Sequence, residues 1–308
     1  MTRQRLLLCF ELQSPLHIGF LPNRPGTVLA PSRCYVPGKN MWGAVTAGLT
    51  PKLFKAPTAA HFHQVGEMIK RQFFFSYFYF SDGRRIFRPH YTKDGLMWGS
   101  PDELADRVFR ACFLESYVST AVKNEAGIAE EASLHEIEFV RYRVGLPGEP
   151  NQKVMLVGVV WISNGAGIFD RSLRIHKGSV FLDDLDLFEE ITVGGERNYG
   201  FGRLKRVDAL GAWVPVADGL WRIAPDEEIR LDEAEPLIGH LPYRRDCLFF
   251  GDIEILAGRE YDPGPSAIAF ENPGKSVLNY GHYFVPGTRV RTGDIVQCDS
   301  WGRLSWRN

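Results

Sequence analysis

The sequence VGGERNYGFGRL, residues 193–204, places four glycines, two arginines and a tyrosine in twelve positions. The glycines are Gly194, Gly195, Gly200 and Gly202. One glycine is enough to end a helix, whereas several let the backbone adopt positive φ angles and let a ligand approach the amides. Arg197 and Arg203 can donate hydrogen bonds to phosphate. Asn198 adds a polar side chain, and Tyr199 adds an aromatic ring on which a base can stack. The composition fits single-stranded RNA, and it fits a glycine-rich turn with surface arginines equally well.

The predicted neighbours of this stretch bear on nucleotide cofactors. FLDDLDLFEEI, residues 181–191, is predicted as a short amphipathic helix, and RLKRVDALGAWV, residues 203–214, as a strand. A dinucleotide fingerprint follows a strand and opens a helix, and a P-loop requires G-x-x-x-x-G-K-[ST]. A loop that follows a helix and opens a strand disfavours both kinds of nucleotide site.

The bulk properties set outer limits. A chain of 308 residues has room for one large domain or two ordinary ones, and a formal net charge of −1 excludes a global positive field but not a local basic groove. The five cysteines are scattered singly, which predicts neither a disulfide framework nor structural zinc. We expect no cofactor and no metal. No apolar run of transmembrane length is present, so we expect a cytoplasmic protein without membrane contact.

The order of predicted elements indicates an α+β fold. A strand, RLLLCFEL, leads through a long loop to a helix, KNMWGAVTAGL, that should end at Gly48 and Pro51. An insertion over about residues 52–135 should contain a helix, HFHQVGEMIKRQ, an aromatic hairpin and a second helix in SPDELADRVFRACFLESYV, which begins after Ser100 and Pro101. The strands LHEIEFV and KVMLVGVVWIS follow, and then the acidic helix and a last strand. This β-α-β-β-α-β order is ferredoxin-like.

Two domains follow from this order. Residues 1–217 form a ferredoxin-like, RRM-like domain with the large insertion and the glycine-rich loop. Residues 218–308, rich in Pro, Gly and short strand signals such as CLFFGDIEIL, SVLNYGHYFV and TRVRTGDIVQCD, form a second, smaller β-rich domain that we also expect to be ferredoxin-like. In the aromatic hairpin, FFFSYFYFSDGRRIFRP, both faces are apolar, so we expect it to be buried on both sides around its Asp82–Gly83 turn.

VGGERNYGFGRL resembles the glycine-rich loop of the RAMP superfamily of CRISPR-associated proteins, whose pattern is G-G-x-R-x-x-G-x-G-hydrophobic. The segments SPLHIG (14–19), VPGKNMWGAV (36–45) and TAVKNEAGIAEEASLHEIEFV (120–140) resemble further segments of that superfamily in the same order. The C-terminal part, with RDCLFFGDIEI and YFVPGTRV, is similar to the Cas5-type two-domain subunit of type III effector complexes.

That resemblance implies a non-catalytic subunit that holds the 5′ tag of the guide RNA (crRNA). It also implies the large type III subunit and an adjacent backbone RAMP subunit as partners, with target RNA contacted indirectly. The residues expected to contact RNA are Gly194, Gly195, Arg197, Asn198, Tyr199, Gly200, Gly202, Arg203, His17, Lys39, Asn40 and Lys123. Lys39 and Asn40 open the first helix, whose free N–H groups favour phosphate.

Two enzymatic alternatives remain open. Some RAMP relatives cut precursor guide RNA with a histidine, for which His17, His61 and His63 are candidates; backbone subunits cut target RNA with a loop aspartate. Asp82, Asp94 and Asp170 are available, but none stands in a matching motif, and Asp82 is more simply a turn residue. The run Asp183, Asp184, Asp186, Glu189 and Glu190 is predicted as a solvated helix face rather than a metal site. We therefore expect no catalysis.

Overall fold

The computed structural model describes residues 2–21, 29–99, 103–119, 135–208, 227–231, 235–260 and 276–307. Lys123, part of the segment 120–140, and the first residues of the expected second domain lie outside the described residues. From the N-terminus to residue 119 the elements are β1 (Arg3–Leu12), β2 (Leu29–Ala30), β3 (Tyr35–Val36), α1 (Gly38–Leu53), α2 (Ala59–Gln72), β4 (Phe73–Phe75), β5 (Phe78–Ser81), β6 (Ile86–Phe87), β7 (Pro89–Thr92), β8 (Gly95–Trp98), β9 (Leu104–Ala105), α3 (Asp106–Phe113) and β10 (Leu114–Ser119).

Beyond residue 134 the described elements are strands and one short 3₁₀ turn, Arg197–Tyr199. In chain order the strands are β11 (His135–Val140), β12 (Arg143–Val144), β13 (Gln152–Lys153), β14 (Met155–Ser163), β15 (Gly167–Ile168), β16 (Arg171–His176), β17 (Ser179–Leu182), β18 (Leu185–Asp186), β19 (Glu190–Thr192), β20 (Arg203–Val207), β21 (Glu228–Arg230), β22 (Leu241–Pro242), β23 (Leu248–Phe250), β24 (Ile253–Glu260), β25 (Ser276–Phe284), β26 (Arg289–Arg291), β27 (Ile295–Cys298) and β28 (Leu304–Trp306).

The central sheet has the order β19-β20-β1-β14-β5-β3, with β4 also paired to β14 and β6 to β5. In the order β20, β1, β14, β5, each strand runs antiparallel to the next. This is the arrangement that a β-α-β-β-α-β chain produces, with β4 and β5 as the second strand and β14 as the third. The segment expected as an insertion, about residues 52–135, thus supplies a strand of the central sheet. The prediction that LHEIEFV is the second strand is wrong, because this segment contains β11, which lies in a separate sheet of order β10-β11-β2.

The predicted acidic helix is wrong. FLDDLDLFEEI forms the end of β17, a tight turn and β18, which belong to a small sheet of order β15-β16-β17-β18, and then the start of β19 in the central sheet. Asp183 adopts a φ of +54° in the turn, and an Asp186 carboxylate oxygen accepts a 2.8 Å hydrogen bond from the Phe188 main-chain N–H. Aspartates therefore stabilise turns here, because their carboxylates accept hydrogen bonds from nearby main-chain N–H groups, which favours a turn over a helix. The α+β class is confirmed, whereas two ferredoxin-like domains are not.

The first helix is longer than predicted. α1 continues through Gly48 and contains Pro51 in its last turn. Its buried side chains include Met41, Val45 and Leu49, and this burial outweighs the local stop signals. The helix HFHQVGEMIKRQ is confirmed as α2, but the helix expected after Ser100 and Pro101 is only partly right. It begins at Asp106 in α3, and the chain turns into β10 at Leu114, so the predicted ESYV portion is strand.

The aromatic hairpin is confirmed, and it is buried on both faces. Tyr77, Phe78, Tyr79 and Phe80 are each at most 2% exposed. β5 and β6 pair across the Asp82 turn, where one Asp82 carboxylate oxygen accepts hydrogen bonds from the main-chain N–H groups of the next two arginines (2.8 and 2.7 Å). The hairpin is therefore a core element of the sheet.

The strand signals of the C-terminal part are confirmed as β23 to β27. Its buried apolar side chains form a cluster of their own, separate from the large cluster of residues 6–204; they are Leu237, Leu241, Cys247, Phe284, Val290, Val296, Cys298 and Leu304. Hydrogen bonds link the two regions, since the Phe75 main-chain N–H donates to the Ser300 carbonyl (3.0 Å) and the Tyr79 side-chain hydroxyl donates to the Ile238 carbonyl (2.8 Å). The C-terminal part thus packs against the side of the sheet that carries β4 and β5.

Candidate nucleic-acid interface

The glycine-rich loop is the turn of a β-hairpin. It joins β19 to β20, which pair antiparallel from Glu190 with Lys205 to Thr192 with Arg203. The prediction that it follows a helix is wrong, because the acidic segment before it is extended. It still opens a strand and lacks the P-loop lysine, so the argument against dinucleotide and P-loop sites holds on those two features.

The loop is held on the segment that follows β1. The Gly195 N–H donates to the His17 carbonyl (2.9 Å), and the Gly202 N–H donates to the Pro15 carbonyl (2.7 Å). The Arg203 N–H donates to the Ser14 hydroxyl (3.0 Å). The structure therefore brings together two segments that lie far apart in the sequence, SPLHIG and VGGERNYGFGRL.

Two of the glycines are required by this close approach. A Cβ on Gly202, whose φ is +82°, would lie 1.9 Å from the Val193 carbonyl oxygen, and a Cβ on Gly194, at +87°, would lie 2.2 Å from the His17 carbonyl oxygen. Gly200 also has a positive φ, +80°, but no atom lies within 4 Å of its Cβ position. Gly194 and Gly202 thus serve the packing of the loop, while Gly200 lies open at its tip.

The tip of the loop presents polar and aromatic side chains to solvent. The 3₁₀ turn of Arg197, Asn198 and Tyr199 is exposed, with Tyr199 at 55%, and Arg203 is exposed at the start of β20. The Arg197 Nε–H donates to the Gly194 carbonyl (3.2 Å), which anchors the side chain to the loop. An anchored guanidinium, a second arginine and an open aromatic ring form a surface that can bind phosphate and stack a base.

His17 lies beneath the loop rather than on it. Its side chain is buried, its Nδ1–H donates to the Glu138 carbonyl (2.7 Å), and its ring is 3.2 Å from the Cβ position of Gly195. Phe201 also packs edge-on against Phe139 of the same strand, at 5.2 Å between centroids. His17 therefore positions the loop, and its direct contact with RNA stays a prediction.

Lys39 and Asn40 lie in the first turn of α1, as expected, but Lys39 is directed to the C-terminal strands. Its Nζ donates to the Tyr280 hydroxyl (2.5 Å) and lies 5.2 Å from the Trp301 ring centroid. Asn40 is half-buried, and its N–H donates to the Pro37 carbonyl (2.9 Å). Lys39 thus contacts Tyr280 and Trp301, and its contact with RNA stays a prediction.

The candidate catalytic residues have different structural settings and do not form one group. His61 caps α2 through the Thr58 N–H (3.1 Å) and stacks on Phe54 at 3.9 Å, and His63 is exposed on the same helix. Asp82 is buried in its turn, as described above, while Asp94 and Asp170 are exposed in turns. Across the described ranges, no group of three or more His, Cys, Asp or Glu side chains is placed to hold a metal ion.

Sequence reasoning missed a buried polar network between the large sheet and the C-terminal strands. Glu254 accepts a hydrogen bond from Arg33 (2.5 Å) and contacts His240 Nε2 (2.6 Å), while the Tyr77 hydroxyl donates to His240 Nδ1 (2.6 Å). Burial lowers the pKa of His240 and outweighs its hydrogen bond to Glu254. Burial raises the pKa of Glu254, but its bonds to His240 and Arg33 hold that pKa below its usual range. No short motif could reveal this network, because Arg33 and Glu254 are far apart in sequence.

No family model matches the chain, and no curated protein matches it. Among solved structures, a chain of "Type III-B Cmr-beta bound to cognate target RNA" is 11% identical, with 93% of this chain and 86% of that chain covered and a TM-score of 0.47. A chain of the apo state of Type III-B Cmr-beta is 9% identical, with coverages of 67% and 98% and a TM-score of 0.41. At these values the likeness carries no argument about function. In the described part of the chain, no helix is long and apolar enough to span a membrane.

Proposed function

We propose that this chain is a non-catalytic, guide-RNA-binding subunit of a type III CRISPR effector complex. The observation that carries the proposal is the glycine-rich hairpin loop, which is held on the Pro15 and His17 carbonyls so that its tip is exposed. The tip combines Arg197 and Tyr199, the residue types that hold a phosphate and stack an unpaired base. The loop pattern and its ordered companion segments resemble the RAMP superfamily, and this resemblance gives the ligand its identity.

In this proposal the loop grips the 5′ tag of the guide RNA, and the partners are the large subunit and a backbone subunit. Binding rests on main-chain amides, arginine–phosphate contacts and stacking, without metal or cofactor. Net charge does not oppose it, because contacts with phosphate act over about a Debye length, ~10 Å at 0.1 M salt. The basic side chains at the tip therefore matter more than the formal charge of −1.

The direct test is protection of repeat-derived RNA by the purified full chain. Labelled RNA that carries the repeat-derived 5′ tag is bound and then digested with a single-strand nuclease. We expect the tag to be protected by the natural chain and exposed with Arg197→Ala/Arg203→Ala. Equal protection by the double variant would count against the loop as the RNA contact.

The second candidate is a metal-independent endoribonuclease that processes precursor guide RNA, favoured by the three histidines near the N-terminal elements. Incubation of the chain with labelled precursor in a chelator decides between the two. We expect intact RNA. Site-specific cleavage that is lost in His17→Ala, His61→Ala or His63→Ala would establish the endoribonuclease instead.

A further inference from the structure

A cluster of three cations and two aromatic rings lies where α1 and α2 meet the C-terminal strands, and we call it the Trp301 cluster. It consists of Lys39, Lys70, Tyr280, Trp301 and Arg303. The charged atoms of Lys39, Lys70 and Arg303 lie 5.2, 4.8 and 5.0 Å from the Trp301 ring centroid. Lys39 and Arg303 also lie 5.0 and 5.1 Å from the Tyr280 centroid.

The convergence of these charges is energetically unusual. Three cations around one ring lie within about one Debye length of each other, ~10 Å at 0.1 M salt, so their mutual repulsion is not fully screened. Cation–π attraction to Trp301 and Tyr280 offsets part of this repulsion. An anion bound among the three side chains would offset more, and the cluster is therefore organised for a ligand with negative charge.

The carboxylates beside the cluster leave room for such a ligand. Glu67 lies 3.7 Å from Lys70, and both side chains are more than a third exposed, so this ion pair is weak. Asp299 accepts a 2.8 Å hydrogen bond from the Arg303 Nε–H, which fixes the guanidinium without covering it, since the arginine side chain is still 22% exposed. Lys70 and Arg303 can thus be reached from solvent.

A buried donor at the centre of the cluster points in the same direction. Trp301 is 7% exposed, and its indole N–H has no hydrogen-bond partner within the described residues. Buried donors are nearly always satisfied by protein, water or a ligand, so this N–H still requires an acceptor, which a water or a bound anion can supply.

We infer that the Trp301 cluster binds phosphate groups of single-stranded RNA and so provides a second contact for the guide RNA, in addition to the glycine-rich loop. Successive phosphodiesters along one RNA strand each carry a negative charge, so they can reach donors that arrive from α1, α2 and the C-terminal strands, whereas a single carboxylate carries only one charge. The inference rests on the proposed function, because that function supplies the RNA. It assigns to Lys70 and Arg303 a role that no sequence motif indicated.

The test measures RNA affinity of the full chain with two cluster variants and a matched control for each. Lys70→Ala is compared with Arg71→Ala, which removes the exposed neighbouring cation on α2. Lys39→Ala is compared with Lys52→Ala at the exposed end of α1. Fluorescence anisotropy with labelled single-stranded RNA gives the Kd at several salt concentrations, and thermal unfolding confirms that each variant is folded.

We expect each cluster variant to bind about tenfold more weakly, with a salt dependence of log K that is smaller by about 0.7 for each lost phosphate contact. The two controls should bind like the natural chain. Cluster variants that bind within twofold of the natural chain, while Arg197→Ala binds more weakly, would overturn this inference and leave the proposed function intact. Absence of RNA binding by the natural chain would overturn both. Saturable binding of a nucleoside monophosphate that depends on Lys70, with RNA affinity unchanged, would assign the cluster to a free nucleotide and overturn it as well.

Discussion

The Gly195 main-chain N–H donates a 2.9 Å hydrogen bond to the carbonyl oxygen of His17, and this bond joins the glycine-rich hairpin to the end of the first strand. The two residues lie in separate motifs of the sequence. Their contact explains why the motifs occur together, because the loop can present Arg197 and Tyr199 only when it is held on this support. The account therefore predicts separable roles for the glycines that hold the loop and the side chains that bind.

Gly202→Ala should destabilise the protein much more than Gly200→Ala. Both residues have φ near +80°, so both substitutions incur the backbone strain of about 1–2 kcal/mol. At Gly202 the new Cβ would also meet the Val193 carbonyl oxygen at 1.9 Å, whereas at Gly200 it would meet open space. We expect a loss of about 3 kcal/mol or more at Gly202 and about 1–2 kcal/mol at Gly200, measured by urea unfolding. Equal losses would show that the hairpin is not packed as described.

The sequence predicts part of the central sheet, but it does not predict that β4 and β5 form one of its strands. The apolar runs of β1 and β14 identify buried strands directly, whereas the aromatic segment of β4 and β5 predicts a buried hairpin in an insertion and does not indicate that it joins this sheet. Ser76 interrupts that segment, and only the structure shows that its hydroxyl accepts a hydrogen bond from the Val159 N–H (2.8 Å), which keeps the strand on β14. Long-range pairing of this kind leaves no local pattern.

The candidate site was predictable as a motif but not as a geometry. The glycine pattern identifies the loop, whereas the acidic segment before it predicts a helix, because its charged residues occur at the spacing of an amphipathic helix. Turn formation at Asp183 decided otherwise. No sequence pattern predicts the Trp301 cluster, because Lys70 and Arg303 come from elements that meet only in the folded chain.

Gly48→Ala should stabilise the protein. The structure places Gly48 on the exposed side of a continuous α1, and no atom lies within 4 Å of its Cβ position. Alanine in a helix interior is favoured over glycine by about 0.5–1 kcal/mol. Urea unfolding should therefore give a higher unfolding free energy for the variant. A lower value would indicate that the helix stops at Gly48, as the sequence pattern alone suggested.

The free energy of unfolding should decrease as the pH is lowered below about 6.5, partly because of His240. Burial lowers the pKa of His240 in the folded protein, and Arg33, Tyr35, Tyr77, Glu254 and Arg303 surround it. An unfolded histidine titrates near 6.5, so below that pH the unfolded state binds a proton that the folded state does not. The stabilisation is complete above pH 6.5 and is lost as pH falls, by at most about 1.4 kcal/mol per pH unit.

The lowered pKa of Glu254 adds to this loss at more acidic pH, because its stabilising charge is present above the unfolded value near 4.3 and disappears as pH falls further. Unfolding free energies of the natural chain and of His240→Gln, measured between pH 7 and pH 5, separate the two residues. Glutamine retains a donor and an acceptor but does not titrate, so we expect a smaller slope. Identical slopes would exclude His240 as the source.

The most direct measurement is the Kd of the full chain for single-stranded, repeat-derived RNA with Arg197→Ala/Arg203→Ala, with exposed Arg107→Ala on α3 as the matched control. Each lost charge-assisted contact should weaken binding about tenfold, and the salt dependence of log K should shrink by about 0.7 per contact. We predict that the double variant binds at least tenfold more weakly while Arg107→Ala binds like the natural chain. If the double variant and the control bind with the same Kd and the same salt dependence, the glycine-rich loop does not hold the RNA.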